Sequence, residues 1–193
     1  MKTIFLTIIF VLTTMLSIAQ TSEHLSFKGV QIDGNLEEYI LKMKQNGFVI
    51  VETQKGMALL NGDFAGYKDC NVGVSTLKQK DLVYKIGVTF PKQEKWSGLS
   101  TNYYDLKQML IEKYGNPSDE LEKFDGYVQP NDDNSKIYEV KLDRCKYYSI
   151  WKMDKGEIQL SIDHNSSRDC YIKLLYFDKI NSDKIKANAK DDL

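Results

Sequence analysis

The chain has 193 residues, with 26 Lys and Arg against 27 Asp and Glu and a formal net charge of −1. That near-balance removes the electrostatic reason to expect a nucleic acid or an anionic membrane as partner. Only three Pro, scattered Gly and 12 Tyr argue for packed structure rather than a disordered linker.

Residues 1–19 open with Lys2 and continue as an apolar run from Ile4 to Ile18. Small Ser17 and Ala19 stand at the −3 and −1 positions of a cut after Ala19, as a secretory signal peptide requires. The run falls short of the roughly 20 residues that span a bilayer. Export is the expectation, to the periplasm or outside the cell. No cysteine follows the cut to carry a lipid, and no later segment is apolar enough to form a membrane span.

A first unit is expected over 20–94. After a short polar lead holding His24, Ile32, Leu36, Ile40 and Met43 form an apolar stripe at helical spacing that ends before Gly47, with Asp33 or Asn35 placed to cap the start of the helix. Glu37 and Glu38 suit the positive end of that helix. Phe48–Val51 and Met57–Leu60 read as short strands, with Asn61-Gly62-Asp63 as a tight turn. Phe64–Leu77 can hold one longer strand. Leu82, Tyr84, Ile86, Val88 and Phe90 alternate with Val83, Lys85, Gly87 and Thr89, the period of a strand with two distinct faces.

A second unit is expected over 95–180, opening near Trp96. Tyr103, Leu106, Leu110 and Tyr114 line one side of a helix that Gly115 and Pro117 terminate. Ser118–Lys136 reads as a polar, acidic loop with a first strand around Leu121–Val128. Ile137–Leu142 and Cys145–Trp151 read as one long or bulged strand, and Asp154-Lys155-Gly156 as a hairpin turn. Ile158, Leu160 and Ile162 alternate with polar residues, and 170–177, CYIKLLYF, is the last strand. Residues 181–193 read as a polar tail with at most a turn or two of helix.

The fold class expected is therefore α+β, two tandem units of one helix on a roughly four-stranded antiparallel sheet. Cys70, Cys145 and Cys170 allow three single disulfides in an oxidising compartment. Pairing the last three strands sets Cys145 and Cys170 at the same end of the sheet, on either side of one strand. The spacing favours Cys145–Cys170 over the other pairings if the sheet twists enough to close the gap.

The helix stops at Gly47 and Gly115, GNP at 115–117, and the strands LVYKIGVTF (82–90) and CYIKLLYF (170–177) carry a resemblance. The arrangement resembles the β-lactamase-inhibitor-like fold, tandem helix-plus-four-strand units. FAGYKDC (64–70) and FDKINSD (177–183) are similar to phrases in uncharacterised exported proteins of Gram-negative gut anaerobes. The inhibitor family carries a disulfide in each repeat, which three cysteines cannot reproduce. What the resemblance implies is the fold.

No glycine-rich phosphate loop, zinc-ligand spacing or nucleophile elbow is present, and no cofactor or metal is expected. Asp163 and His164, with Cys170 or Arg168, could form a hydrolase site. Asp163, Asn165, Ser167 and Asp169 fall on alternate positions of a calcium loop, yet Arg168 and Leu174 stand where that loop needs Gly and Glu. The aromatic surplus is the stronger signal. Tyr147, Tyr148 and Trp151 cluster on one strand, and Trp96 opens the second unit. Tyr and Trp are enriched at contact surfaces. A sheet face left bare of helices could present them to a protein partner, the favoured reading, or to a glycan or cell wall. The function expected is a non-enzymatic exported binding protein.

Overall fold

The computed structural model describes residues 23–77, 80–126 and 129–191. The expected leader, residues 1–19, and the end of the expected strand at 127–128 lie outside the described residues. The fold is α+β, one eight-stranded antiparallel sheet with four helices. A two-stranded hairpin, β1 (Ser26–Phe27) and β2 (Val30–Gln31), precedes α1 (Leu36–Gln45). Then come β3 (Val49–Gln54), β4 (Met57–Phe64), β5 (Tyr67–Leu77) and β6 (Leu82–Thr89). α2 (Trp96–Tyr114), β7 (Asp119–Phe124) and α3 (Asp133–Lys141) follow. The chain closes with β8 (Cys145–Met153), β9 (Gly156–His164), β10 (Cys170–Asp178) and α4 (Lys179–Asp191). Strand order is β3-β4-β5-β6-β10-β9-β8-β7, so β6 and β10 join two meanders into one sheet.

Period-two alternation sorts this sheet into two unlike faces. Leu60, Val72, Val88, Leu174, Leu160 and Ser149 stand opposite one another in a row across six strands, and all are buried. Against this face α1 packs Leu36, Tyr39, Ile40 and Met43, and α2 packs Trp96, Leu99, Tyr103, Leu106 and Leu110. The Tyr103 hydroxyl bonds the Ser149 hydroxyl at 2.9 Å, satisfying both inside the core.

α1 starts where expected: the Asn35 side chain accepts the Glu38 N–H at 2.9 Å, and Gly47 follows its end with φ 89°. α2 begins earlier than its periodicity suggested, and its free N-terminal amide is satisfied from a distance. Asp133 accepts from the Ser97 N–H at 3.3 Å and from its hydroxyl at 2.6 Å.

Three local expectations are corrected. Ile137–Leu142 is not a strand. Asp132 accepts from the amides of Asn134 and Ser135 in a capping box, which starts α3 and turns Ile137 and Val140, one helical step apart, into the core. Asn61-Gly62-Asp63 is not a turn but continues β4, because the chain reverses at Ala65-Gly66, both with positive φ (51° and 83°). Residues 181–191 are not a loose tail but most of α4.

The polar lead is likewise tethered rather than mobile. Asp178, fully buried, accepts the Leu25 N–H at 2.9 Å and the Asn181 N–H at 2.9 Å, and stands 3.1 Å from Nδ1 of His24. Asn181, also fully buried, donates through its amide to Ile32 O, Asp33 Oδ1 and Val83 O. These two side chains bind lead, β6 and α4 into one clasp.

Candidate functional site

The second face of the sheet is the site the fold leaves open. Across it Leu59, Gly73, Gly87, Leu175, Gln159 and Ile150 stand opposite one another, from β4 to β8. Tyr148 and Leu121 form a neighbouring pair on β8 and β7, and Met57 and Phe177 flank the row on the other side. None of these side chains is fully buried. The same is true of every polar residue that alternates with the core on β4 to β10, including Lys85, Lys173, Glu157 and Ser161. Leu59, Leu175 and Ile150, partly exposed apolar side chains set apart by two glycines and Gln159, are the feature this face adds to an ordinary polar sheet surface.

The centre of the row is shaped by two facing glycines. A Cβ at Gly87 would come within 3.1 Å of Leu175 Cδ2, so Leu175 leans across the space that a side chain there would fill. The charges around the row are largely matched within the face. Lys173 pairs with Asp163, Lys152 stands opposite Glu157, and the Lys85 ammonium lies 5.9 Å from the Phe177 ring centroid. The face therefore offers apolar side chains among charged residues, of which Lys173 and Asp163 are joined in an ion pair. At its lower end, between the sheet and α4, lies a cleft of about 410 Å³ lined by Glu157, Gln159, Phe177, Ser182 and Lys186.

Of the aromatics singled out by sequence, only Tyr148 is on this face. Trp151 is 1% exposed on the core side and donates its indole N–H to Gly115 O at 2.8 Å, closing the end of α2. Trp96 is buried as the first residue of α2, with its ring 4.9 Å from Phe124 and 5.0 Å from Tyr147. Tyr147 is half-buried in that same cluster, 5.9 Å from Tyr103. Trp151 and Trp96 complete the core and do not make a contact surface, and Tyr147 packs partly buried against that core. Sequence reasoning missed Leu59, Leu175 and Ile150. Their alternation was visible, but nothing local says which of two strand faces a helix will cover.

The thiols are free, and Cys145 and Cys170 are not joined. His164 stands opposite Cys170 in the β9–β10 ladder. Burial pushes the Cys145 thiol up to about 12 and Cys70 up to about 11, and it raises Cys170 as well. A thiol held protonated in this way is a poor nucleophile.

The structure brings Asp163, His164 and Cys170 to one sheet end without assembling them. Nδ1 of His164 lies 2.8 Å from Asn165 O and Nε2 lies 3.1 Å from Asp143 Oδ1, so both ring nitrogens face oxygens. Asp163 is engaged by Lys173 and by the His164 N–H. Arg168 is exposed in the turn with φ 61°. The calcium-like positions are spent on the turn itself: Asn165 Oδ1 accepts the Asp169 N–H at 3.0 Å, and Asp169 meets Lys92 at 3.3 Å. Among the described residues no group of three His, Cys, Asp or Glu side chains is placed to hold a metal ion, and no helix is long and apolar enough to cross a membrane.

No family model, no curated protein and no solved structure matches this chain.

Proposed function

We propose that this is an exported, non-enzymatic binding protein that engages a protein partner through the open face of its sheet. The observation that carries the reading is the partly exposed apolar set Leu59, Leu175 and Ile150 on the sheet face away from α1 and α2, beside a Lys173 already paired with Asp163. Such a surface gains from desolvating its apolar centre and loses little at its rim. The two Trp residues that favoured a glycan platform are spent inside the core, so a protein partner is the stronger reading. Non-enzymatic function is supported by thiols raised in pKa and by a histidine whose two nitrogens both face oxygens.

The same reading treats the chain as a duplicated unit. α1 with β3–β6 and α2 with β7–β10 repeat a helix followed by four antiparallel strands, and the strand order reverses about the β6–β10 junction. α3, inserted between β7 and β8, is an addition to the second unit. A duplication of this kind builds a wide sheet face from one small motif.

The test is comparative. Immobilised leader-free chain is presented with the exported proteins of the source cell, beside a Leu175→Asp variant and a control, Met109→Asp, at an exposed position of α2. Partner captured by wild type and control but lost from the Leu175 variant supports the open face. Equal capture by all three, or by none, overturns it.

A further inference from the structure

The two edges of the sheet are built differently. β7 reads DELEKF, and its acids Glu120 and Glu122 meet Lys107 of α2 at 2.7 and 2.5 Å. That edge is blunted by charge against any further strand. β3 reads VIVETQ, and all six of its residues are exposed. Val49, Ile50 and Val51 are 60%, 44% and 57% exposed, with Leu41 at 57% and Met57 at 51% beside them. Most of the large exposed apolar side chains among the described residues thus gather at this one edge. Between α1 and β3 a cavity of about 580 Å³ opens, lined by Leu36, Glu37, Ile40, Ile50 and Thr53.

We infer that β3 is the interface of a two-fold dimer, pairing antiparallel with the β3 of a second copy of this chain. A strand paired with itself about a two-fold axis is an isologous contact, so a single surface must complement itself. The register does. Full overlap of the strand sets Val49 against Gln54, Ile50 against Thr53 and Val51 against Glu52. In a regular strand each of these pairs would point to opposite faces. The bulge between Ile50 and Glu52 removes that conflict: Ile50 and Thr53 both stand opposite core-side residues of β4 (Leu60 and Ala58), and Val49 and Gln54 both stand opposite open-side residues (Asn61 and Met57).

The charges complement themselves as well. Glu37 and Ile40 share the cavity with Ile50 and Thr53, so the flank of α1 bearing Glu37, Leu41 and Lys44 faces this edge. The two-fold axis falls between Ile50 and Thr53, and α1 runs antiparallel to β3, its Glu37 end sharing the cavity with Thr53, Gln54 and Gly56 and its Lys44 end leading through Gly47 into Val49. Across that axis Glu37 of each copy is on the side of Lys44 of the other. The apolar residues fall at the centre of the contact and the opposite charges at its ends. The axis is perpendicular to the sheet, so both open faces remain on the same side. The dimer stands whatever that face binds.

Sedimentation velocity of the leader-free chain tests it. A dimer at micromolar concentration is expected, and Val51→Lys, an exposed substitution, should make it monomeric with an unchanged circular dichroism spectrum. Glu37→Lys and Lys44→Glu should each weaken the dimer by about tenfold or more, since both copies then set like charges together. An equimolar mixture of those two variants should regain most of the affinity, because in the mixed pair each lysine again meets a glutamate. Independently of any variant, the amides of Val49–Gln54 should exchange more slowly as concentration rises. A chain that stays monomeric at about 100 µM, a dimer that survives Val51→Lys, a mixture that regains nothing, or exchange that ignores concentration would each overturn the proposal.

Discussion

Asn181→Ala removes the middle of the clasp between lead, β6 and α4. The Asn181 amide donates to Ile32 O at 3.1 Å, Asp33 Oδ1 at 3.0 Å and Val83 O at 2.9 Å, and the residue is fully buried. An alanine leaves both carbonyls without that donor, and a buried polar group left unpaired costs about 1–3 kcal/mol. The Asp33 carboxylate is 39% exposed and can turn to water, so its share is small. The sum is about 3 kcal/mol, which for a chain of this size lowers Tm by roughly 6–12 °C. Urea unfolding followed by tryptophan fluorescence reads this directly, since Trp96 and Trp151 are both buried. Lys184→Ala, which removes only the cation on the Asn181 carbonyl, should change stability by less than about 0.5 kcal/mol. Asn181→Asp should cost more than Asn181→Ala, because it turns a carboxylate onto two carbonyl oxygens. If Asn181→Ala unfolds within about 1 kcal/mol of wild type, the clasp does not hold the two chain ends and the reasoning fails.

Gly156→Ala should be among the most damaging single substitutions. A Cβ there would lie 2.0 Å from the backbone oxygen of Phe177, so β10 must shift, at a cost of about 3 kcal/mol or more; a Tm within a few degrees of wild type would contradict this close approach. Native chain at pH 8 should react slowly with a thiol reagent and fully after unfolding, because desolvation raises all three thiols. Rapid labelling of any cysteine in the native state is the contrary result. Hydrogen bonds from Ser135 hold Asp132 below its ordinary value of 3.8, and those from Ser97 hold Asp133 below it. A carboxyl depressed by folding stabilises above its unfolded value and loses that contribution as pH falls through the folded one. Protection of the α3 amides, taken relative to their intrinsic exchange rates, should accordingly fall selectively below about pH 4, and α3 amides whose protection holds as well as that of β9 would refute the capping role.

Much of the fold was legible because periodicity is a local property. The alternation of Ile158, Leu160 and Ile162 fixed β9, and the stripe from Leu36 to Met43 with its Gly47 stop fixed α1. The failures share one physical cause. Ile137–Leu142 carries enough apolar residues for either state, and the capping box from Asp132 to Ser135, only four residues wide, decided for helix. Asn61-Gly62-Asp63 has turn chemistry, but its Asn61 is held in a ladder with Asn71, and the reversal moved to Ala65-Gly66. Lys179–Asp191 has a weak apolar stripe and is anchored instead by Asp178 and Asn181, whose partners lie far away in sequence.

The candidate site was less legible than the fold. Composition and missing motifs argued against catalysis, and the surplus of aromatics argued for contact. Which aromatics were available for contact depended on the side taken by α2 and α3. Trp151 and Tyr148 are three residues apart on one strand, so alternation alone put them on opposite faces. The sequence by itself determined the alternation, the helix stops and the near-balance of charge. Only the tertiary structure decided which face was covered, which edge was left apolar, and how the chain ends were joined, because each depends on desolvation between segments that no local pattern connects.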